Sequence, residues 1–479
     1  MFREGAEKYR PVHHITPKKG FLNDPNGLVY FNGGYHVFYQ LYPHGIEGGI
    51  EKHWAHLVST DLINWRELPV ALSPDEYGSI WSGSCIVDEK NASGLFDSVP
   101  GKQGLIAYYT STGMNDVSLQ RQCMAYSGDG ITWTKYNNGA PIIDKAADPA
   151  KDNDFRDPKV FWYEAGKRWL MVTAGGPLRI FSSVNLIDWK VESFNTDLRT
   201  ECPDMFCLPC DGGQKWILSG CSDWYMPGDL VQETGGIKFV PDTGMKLSLN
   251  FGPDRYAAQT FSNTPGRTIK IDWVSSSFNC REYAALHKNE WIGALSLPCQ
   301  LSLKKTDEGL RLVQTPVPEL EALHGSKAEI QIEDQKIDSS VKDLSCKPMA
   351  AFEIKAEIDV GTSSTAGIRL HSNGRSFTSL AYDTGSKKLV LDRTKSFAAL
   401  APHYNKAFSS QEFELQGNSL KLHIFVDGPV IEVFAQDGLH VATALSYFQA
   451  DDQTKIELFA EGGSAVVKKL VVYELKAGE

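Results

Sequence analysis

The stretch GFLNDPNGLVYF at residues 20–31 places a carboxylate, Asp24, at the beginning of an apolar run typical of a β-strand. Its centre, NDPNG at 23–27, is dense in turn-forming residues and by itself predicts a tight turn. Polar residues precede a short apolar run at four more places in the first 310 residues. The stretch therefore predicts a repeating, all-β architecture with Asp24 at the mouth of its first unit.

Two interleaved repeats predict the number of these units. One repeat has Ser, a short polar turn and then Trp; its copies are residues 59–65, 127–133 and 183–189. The other has a Gly-containing turn before an apolar strand; its copies begin at residues 34, 104, 166, 213 and 266. Five units of roughly 45–70 residues, each several strands long, are typical of a five-bladed β-propeller.

Another apolar run lies just ahead of each strand of the second repeat. These five runs begin near residues 23, 81, 156, 201 and 254. If each run is the innermost strand of its blade, its leading end faces the central channel. Three carboxylates, those of Asp24, Asp157 and Glu201, are then expected to converge from separate blades on one funnel.

A second domain is expected after the propeller. We predict the propeller over residues 1–315 and a linker over 316–334, where prolines precede a short helical pattern. Alternating polar and apolar residues over 335–479 predict a β-sandwich. Its polar residues do not converge, which favours a structural or carbohydrate-binding accessory role.

Composition excludes several classes of partner. A net charge of -11 argues against nucleic acid, and no apolar stretch reaches the ~18 residues that span a bilayer. The N-terminus lacks the apolar core of a signal peptide, so a cytoplasmic protein is expected unless a leader was removed. Nine scattered Cys do not suggest a disulfide framework, and the Cys207–Cys210 pair is expected to be structural. We expect a monomer or a weak homo-oligomer.

Three carboxylates around an aromatic-lined funnel fit glycoside hydrolysis. That reaction needs one carboxylate to attack or to position water and a second carboxylic acid to protonate the leaving oxygen. Burial and neighbouring carboxylates raise the pKa of such an acid. The His13-His14 and His53-x-x-His56 pairs lack partner ligands, and no phosphate-binding loop or Gly-x-Ser-x-Gly elbow is present. We therefore predict no cofactor and no metal.

The chain also resembles a known family of proteins. It is similar to glycoside hydrolase family 32, the β-fructofuranosidase group of invertases, inulinases and levanases, nearly from end to end and in the family's order. The matching segments are NDPNG at 23–27, FYQ at 38–40, WAHLVSTDLINW at 54–65, WSGS at 81–84, FRDPK at 155–159, ECPD at 201–204, YAAQTF at 256–261, SLP at 296–298, LHIFVD at 422–427 and EVFA at 432–435.

The resemblance implies a five-bladed propeller followed by a β-sandwich, and cleavage of terminal β-fructofuranosyl bonds in sucrose or fructans with retention of configuration. It implies that Asp24 is the nucleophile, that Glu201 is the general acid/base and that Asp157 binds fructose hydroxyls. Retaining enzymes hold their two working carboxyl groups about 5–5.5 Å apart, and we predict that spacing for Asp24 and Glu201.

A wider set of residues is expected to bind the substrate. Some are expected to line the fructose site: Asn23, Gln40, Trp54, Trp81, Ser82 and Arg156. Asp254 and Tyr256 are expected to contact the leaving sugar. Trp54 and Trp81 have an alternative role as core rings, whereas the Trp of the first repeat belong to the blades.

Departures from the family leave the substrate open. They include Tyr42-Pro43, Ala55, residues 277–283 and Cys299, and they group on the side of the leaving sugar. Sucrose, sucrose 6-phosphate, inulin and levan all remain candidates. A fructosyltransferase that uses the same intermediate is one alternative, and a non-catalytic glycan-binding propeller is another.

Overall fold

The structure, a computed structural model, describes residues 7, 9–221, 223–274, 288–344, 347, 349–396, 404–448 and 455–476. Five sheets, mostly of antiparallel strands, form its first part. The first sheet contains β1 (Gly20–Phe31), β2 (Gly34–Tyr42), β3 (His53–Ser59) and β4 (Arg66–Leu72). The second contains β5 (Ser79–Asp88), β6 (Gly104–Thr112), β7 (Gln120–Ser127) and β8 (Thr134–Lys135). The third contains β9 (Arg156–Tyr163), β10 (Arg168–Ala174), β11 (Gly176–Ser183) and β12 (Lys190–Thr200).

The remaining two sheets complete the ring. The fourth has β13 (Asp204–Cys210), β14 (Gly213–Gly220), β15 (Trp224–Glu233) and β16 (Gly236–Pro241), with β17 (Leu247–Ser248) on β15; the fifth has β18 (Tyr256–Thr260), β19 (Thr268–Val274), β22 (Cys299–Thr306) and β23 (Gly309–Pro316), with β21 (Ala294–Leu295) on β19. The short strand β20 (Trp291–Ile292) pairs with β1 in parallel. The first strands contact one another in the cycle β1, β5, β9, β13, β18 and back to β1. The predicted five-bladed propeller is confirmed.

Both repeats take the predicted places in the blades. The Gly-led segments become the second strands β2, β6, β10, β14 and β19. The Ser-to-Trp segments form the turns between third and fourth strands of the first three blades. In the first copy the Asp61 carboxylate accepts the backbone N–H groups of Ile63 and Asn64, and Asp129 does the same in the second copy. The repeat is therefore a turn stabilised by hydrogen bonds from its backbone to one of its own side chains, and it connects the third strand of the blade to the outer strand.

The NDPNG segment at 23–27 does not form the turn that its composition predicts. It lies inside the continuous strand β1, whose pairing with β2 shifts register between Leu22 and Pro25 and between Asn26 and Val29. Gly27 has φ 56°, and a Cβ atom there would lie 2.7 Å from the Phe38 ring. Turn-forming residues here create bulges, because β2 supplies the hydrogen bonds that a turn would otherwise have to make internally.

Two six-stranded sheets form the C-terminal sandwich. One contains β24 (Ile330–Asp338), β35 (Ser464–Glu474), β26 (Ala351–Asp359), β31 (Ser419–Asp427), β32 (Val430–Ala435) and β33 (His440–Leu445); the other contains β25 (Val341–Asp343), β34 (Lys455–Glu461), β27 (Thr365–Ser372), β28 (Thr378–Asp383), β29 (Lys388–Asp392) and β30 (Ala407–Ser409). The 3₁₀ helix Pro318–Leu323 lies in the predicted linker. The sandwich begins at Ile330 rather than at 335, because that strand pairs with β35 from its first residue. No helix in the described ranges is long and apolar enough to cross a membrane.

The interface between the two domains contains buried charge. Asp254, ahead of β18, pairs with Arg393 of the sandwich, and both side chains are fully buried. The same carboxylate accepts the backbone N–H of Leu445 at 2.8 Å. The prediction that Asp254 contacts the leaving sugar is therefore wrong: its carboxylate faces the sandwich, where Arg393 compensates its charge.

Asp427, the last residue of the LHIFVD segment, joins the N-terminal segment to the sandwich. Its carboxylate accepts the backbone N–H groups of Val12 at 2.7 Å and of His13 at 2.7 Å, and it lies 2.8 Å from Nδ1 of His14. Glu432 lies 3.7 Å from the other ring nitrogen of His14. The family-like segments of the sandwich thus contribute to the domain interface.

The Asp254–Arg393 pair generates a stability prediction. Asp254→Ala should lower the free energy of unfolding by about 3–5 kcal/mol, because it leaves Arg393 charged and buried without its partner. Calorimetric melting measures the loss. As a control, Glu414→Ala removes the partner of Lys387 in an exposed pair and should leave the melting temperature nearly unchanged. Equal losses in the two variants would contradict this account of the interface.

His14 predicts how stability depends on pH. Burial by itself lowers the pKa of His14, but hydrogen bonds to Asp427 and Glu432 outweigh burial and raise it to about 9. Its contribution is complete below the unfolded value of 6.5 and is lost as pH rises through about 9. Unfolding free energy should fall by about 2–3 kcal/mol between about pH 6 and about pH 10, and by less in His14→Asn. An identical fall in both proteins, measured by denaturant titration, would refute this role.

Candidate active site

The three predicted carboxylates lie together at one end of the propeller channel. Asp24 comes from β1, Asp157 from β9 and Glu201 from the segment directly before β13. The backbone N–H of Cys202 donates to the Asp157 carboxylate at 2.8 Å, while its Sγ lies 3.4 Å from Oδ2 of Asp24. Since Cys202 directly follows Glu201, this one residue links all three carboxylates.

Asp24 is held by two polar side chains from its own and the next blade. Ser82 Oγ donates to Oδ2 of Asp24 at 2.5 Å, and Gln40 Nε2 lies 3.3 Å from the same oxygen. Gln40 also donates to Ser82. Both residues were predicted to line the fructose site; the structure buries them at 5% and 1% exposure behind the carboxylate, where they fix its orientation.

Asp157 is the most enclosed of the three carboxylates. It is 3% exposed and has φ 64°, an unfavourable conformation for a residue with a Cβ atom. Burial raises the pKa of Asp157 to about 7, although the charge of Arg156 and the hydrogen bond from Cys202 oppose that shift. Thr110 Oγ1 accepts the backbone N–H of Asp157 at 2.9 Å and so fixes the strained residue.

Glu201 accepts one hydrogen bond on each carboxyl oxygen. Arg156 Nη2 lies 2.5 Å from Oε1, and the Tyr256 hydroxyl lies 2.6 Å from Oε2. The Glu201 side chain is still 43% exposed, so its carboxyl group faces the open mouth of the channel. Such a group can exchange a proton with a bound molecule. Arg156 also contacts Asp154 at 2.5 Å and Asp157 at 3.7 Å.

The two predicted Trp residues have different surroundings. Trp54 is fully buried in the core between the first two blades, so the prediction that it lines the site is wrong. Its indole Nε1 donates to the backbone carbonyl of Trp81 at 3.0 Å and so supports that residue from below. Trp81 is partly exposed, with the Arg156 guanidinium 6.0 Å from its ring centre.

A buried ion pair links the first strands of three blades. Lys159 Nζ lies 2.9 Å from Oδ1 of Asp204 and 2.8 Å from the carbonyl oxygen of Thr260. The pair joins the first strands of the third, fourth and fifth blades. The FRDPK and ECPD segments thus each supply one catalytic candidate and one residue of this buried pair.

Sequence reasoning missed several residues of the site. Cys202 was inside a recognised segment, yet its two contacts depend on the blade arrangement. Lys52 lies in no motif; its Nζ donates to Oδ1 of Asn23 at 2.7 Å. Cys221, whose Sγ lies 3.0 Å from the Tyr256 hydroxyl, carried no signal in the sequence. Residues 277–283, where the chain departs from the family, lie outside the described residues.

Comparisons with known proteins agree with this geometry. The model of the glycosyl hydrolases family 32 N-terminal domain matches residues 14–316, and the model of the family 32 C-terminal domain matches residues 319–474. The boundary between them coincides with the end of β23.

Individual relatives extend the similarity over nearly the whole chain. A levanase from Bacillus subtilis is 38% identical over 98% of this chain and 71% of its own length. A fructan beta-fructosidase from Streptococcus mutans is 37% identical over 98% of this chain, which spans 33% of that longer protein. The crystal structure of exo-inulinase from Aspergillus awamori superposes with a TM-score of 0.88 at 28% identity and covers 99% of both chains.

The raised pKa of Asp157 generates a prediction about stability. Ionising Asp157 works against folding as pH rises from about 4 through about 7, so Asp157→Asn should be more stable than the wild type above about pH 8. The gain is at most about 4 kcal/mol, at about 1.4 kcal/mol per pKa unit, and it should vanish below about pH 4.

Melting curves at both pH values test this prediction. Asp97→Asn, at an exposed carboxylate in the second blade, serves as the control and should leave the melting temperature unchanged. A variant Asp157→Asn that is less stable than the wild type at high pH would show that the Asp157 carboxylate is held as a favourable anion.

Proposed function

The chain belongs to glycosyl hydrolase family 32, and from this membership we propose that it releases fructose from the ends of fructan chains with retention of configuration. It is a glycoside hydrolase that cleaves terminal β-fructofuranosyl bonds. The observation that carries the proposed mechanism is the convergence of Asp24, Asp157 and Glu201 from separate blades on one open mouth. The fructosyltransferase alternative is not favoured by these relatives.

In the first step of the proposed mechanism, Asp24 attacks the anomeric carbon of the terminal fructosyl unit. The bond from that carbon to the leaving oxygen breaks, and Glu201 transfers its proton to this oxygen. The contacts of Ser82 and Gln40 support this role, because they hold the Asp24 carboxylate in one orientation. The products of the step are a fructosyl ester on Asp24 and the shortened chain.

In the second step, water hydrolyses the ester. The Glu201 carboxylate takes a proton from water, the water oxygen bonds to the anomeric carbon, and the Asp24 carboxylate leaves. Two inversions at the same carbon give fructose in its original anomeric form. Glu201 is suited to both steps, since Arg156 and Tyr256 keep it in place while its carboxyl group stays open to the channel mouth.

Asp157 holds the fructosyl unit by its ring hydroxyls in this mechanism. Its enclosed position beside Arg156 supports the assignment, because a buried carboxylate accepts hydrogen bonds from hydroxyls more strongly than an exposed one does. We also expect Trp81 and Asn23, which are both partly exposed, to contact the fructosyl unit.

The names of the relatives support a fructan as the substrate. Those compared above are named as a levanase, a fructan beta-fructosidase and an exo-inulinase. We therefore expect turnover of levan and inulin as well as sucrose, with free fructose as the only early product from the polymers. Anion-exchange chromatography of the first products tests this expectation. Early oligosaccharides would instead indicate cleavage within the chain.

The proposed roles predict distinct variant phenotypes. Asp24→Ala and Glu201→Gln should each lower kcat on sucrose by about 10²–10⁴-fold, the usual contribution of a nucleophile or an acid/base. On β-fructosyl fluoride, whose leaving group needs little protonation, Glu201→Gln should recover the first step and release a burst of fluoride, while hydrolysis of the ester stays slow without the Glu201 base. Asp24→Ala should give no burst. Following the first fructose by NMR should show the β-anomer.

A matched control separates these effects from a general loss of charge. Glu164→Gln alters an exposed carboxylate in the turn between β9 and β10 of the third blade, which accepts hydrogen bonds from Trp162 and Lys167, and should retain wild-type activity. Full activity of Asp24→Ala on sucrose, or an initial α-anomer, would exclude the proposed mechanism.

A further inference from the structure

The thiol of Cys221 contacts the hydroxyl group of Tyr256, which in turn contacts Glu201, the proposed acid/base. We propose that Cys221 is a positioning residue whose thiol keeps the Tyr256 hydroxyl donating to Glu201, so that the Glu201 proton is directed to the leaving oxygen. This inference rests on the acid/base role proposed for Glu201.

The geometry forms a short chain of hydrogen bonds. Cys221 Sγ lies 3.0 Å from the Tyr256 hydroxyl oxygen, which lies 2.6 Å from Oε2 of Glu201. A phenol has one proton to donate and an oxygen that can accept. With the thiol donating to that oxygen, the phenolic proton is directed to the carboxyl group.

Cys221 also contacts the segment that carries Glu201. Its backbone N–H lies 3.3 Å from the Glu201 carbonyl oxygen and 3.3 Å from Oγ1 of Thr200. Its Sγ lies 3.6 Å from the same Thr200 oxygen. Cys221 is 2% exposed and packs in one small cluster with Cys202, Ala257 and Tyr256. Both its main chain and its side chain therefore fix Glu201 relative to Tyr256.

The direction of the Tyr256 hydroxyl has a consequence for catalysis. When Glu201 carries its proton, an unoccupied Tyr256 oxygen can accept that proton and compete with the leaving oxygen of the substrate. The Cys221 thiol occupies that oxygen and removes the competitor. Without the thiol, the acid form of Glu201 gains an extra hydrogen bond, which stabilises that form and turns the proton away from the substrate.

Glu201 also faces groups other than Tyr256. Arg156 contacts its Oε1, and the carboxylates of Asp24 and Asp157 both contact Cys202, the residue that follows Glu201. A change in the pH profile that passes through Tyr256 should disappear in Tyr256→Phe, whereas one that passes through the contact of Cys221 Sγ with Thr200 should persist. This route can be tested by combining substitutions.

The experiment measures kcat and kcat/KM on sucrose against pH for five proteins: the wild type, Cys221→Ala, Cys221→Ser, Tyr256→Phe and the double variant with Cys221→Ala and Tyr256→Phe. In Cys221→Ala the basic limb of the pH–activity profile should move up by about 0.5 pH unit. The value of kcat should fall only about fivefold, since the lost hydrogen bond acts on Glu201 through Tyr256 and not directly. Cys221→Ser keeps a donor and should restore both values. In the Tyr256→Phe background, Cys221→Ala should cause no further shift.

Controls separate this role from packing. Cys85→Ala removes a buried thiol of the second blade and should leave the pH profile unchanged. A folded Cys221→Ala enzyme with the wild-type profile would overturn the proposal, and so would an equal shift in the Tyr256→Phe background. Failure of the wild type itself to cleave sucrose or fructan would instead contradict the proposed function.

Discussion

Neighbouring carboxylates can stay ionised only where cations or hydrogen bonds offset their mutual repulsion, and here the cation is Arg156. Its guanidinium contacts Asp154, Asp157 and Glu201. Burial by itself lowers the pKa of Arg156, but the charges of these three carboxylates outweigh burial and raise it. Without this cation, mutual repulsion and burial would protonate the acidic groups or force them apart. The site combines an enclosed carboxylate, an open one and a third held by neutral donors, so three chemically similar groups acquire different properties.

The second domain is tied to the propeller by the same kind of interaction. Arg393 reaches across to Asp254, and His14 lies between Asp427 and Glu432, all of them buried. These contacts explain why residues far from the catalytic candidates match the family: they fix the position of one domain against the other. The sandwich thereby supports the fifth blade, whose first strand carries Tyr256 to Glu201.

Much of this arrangement follows from local patterns. The Gly-led strands and the Ser-to-Trp turns identified the blades, because each repeat reverses the chain between neighbouring strands with the same short residue pattern. Trp54 and Asp254 show the limit of such inference. Both lie beside residues of the site in sequence, but the pleat of β3 turns Trp54 into the core, and the segment before β18 turns Asp254 towards the sandwich. One residue along a chain reverses the direction of a side chain.

The sequence by itself determined the all-β class, the five repeats, the two domains and the identity of the three carboxylates, since all of these depend on patterns within one blade or on recognisable segments. The tertiary structure alone decided which groups hold those carboxylates. Cys221 and Tyr256 lie 35 positions apart, and Gln40 and Ser82 lie 42 apart, yet each pair meets at a carboxylate. Such contacts form only when separate blades close into a ring. A pattern of neighbouring residues in the sequence does not predict which side chains the ring brings together.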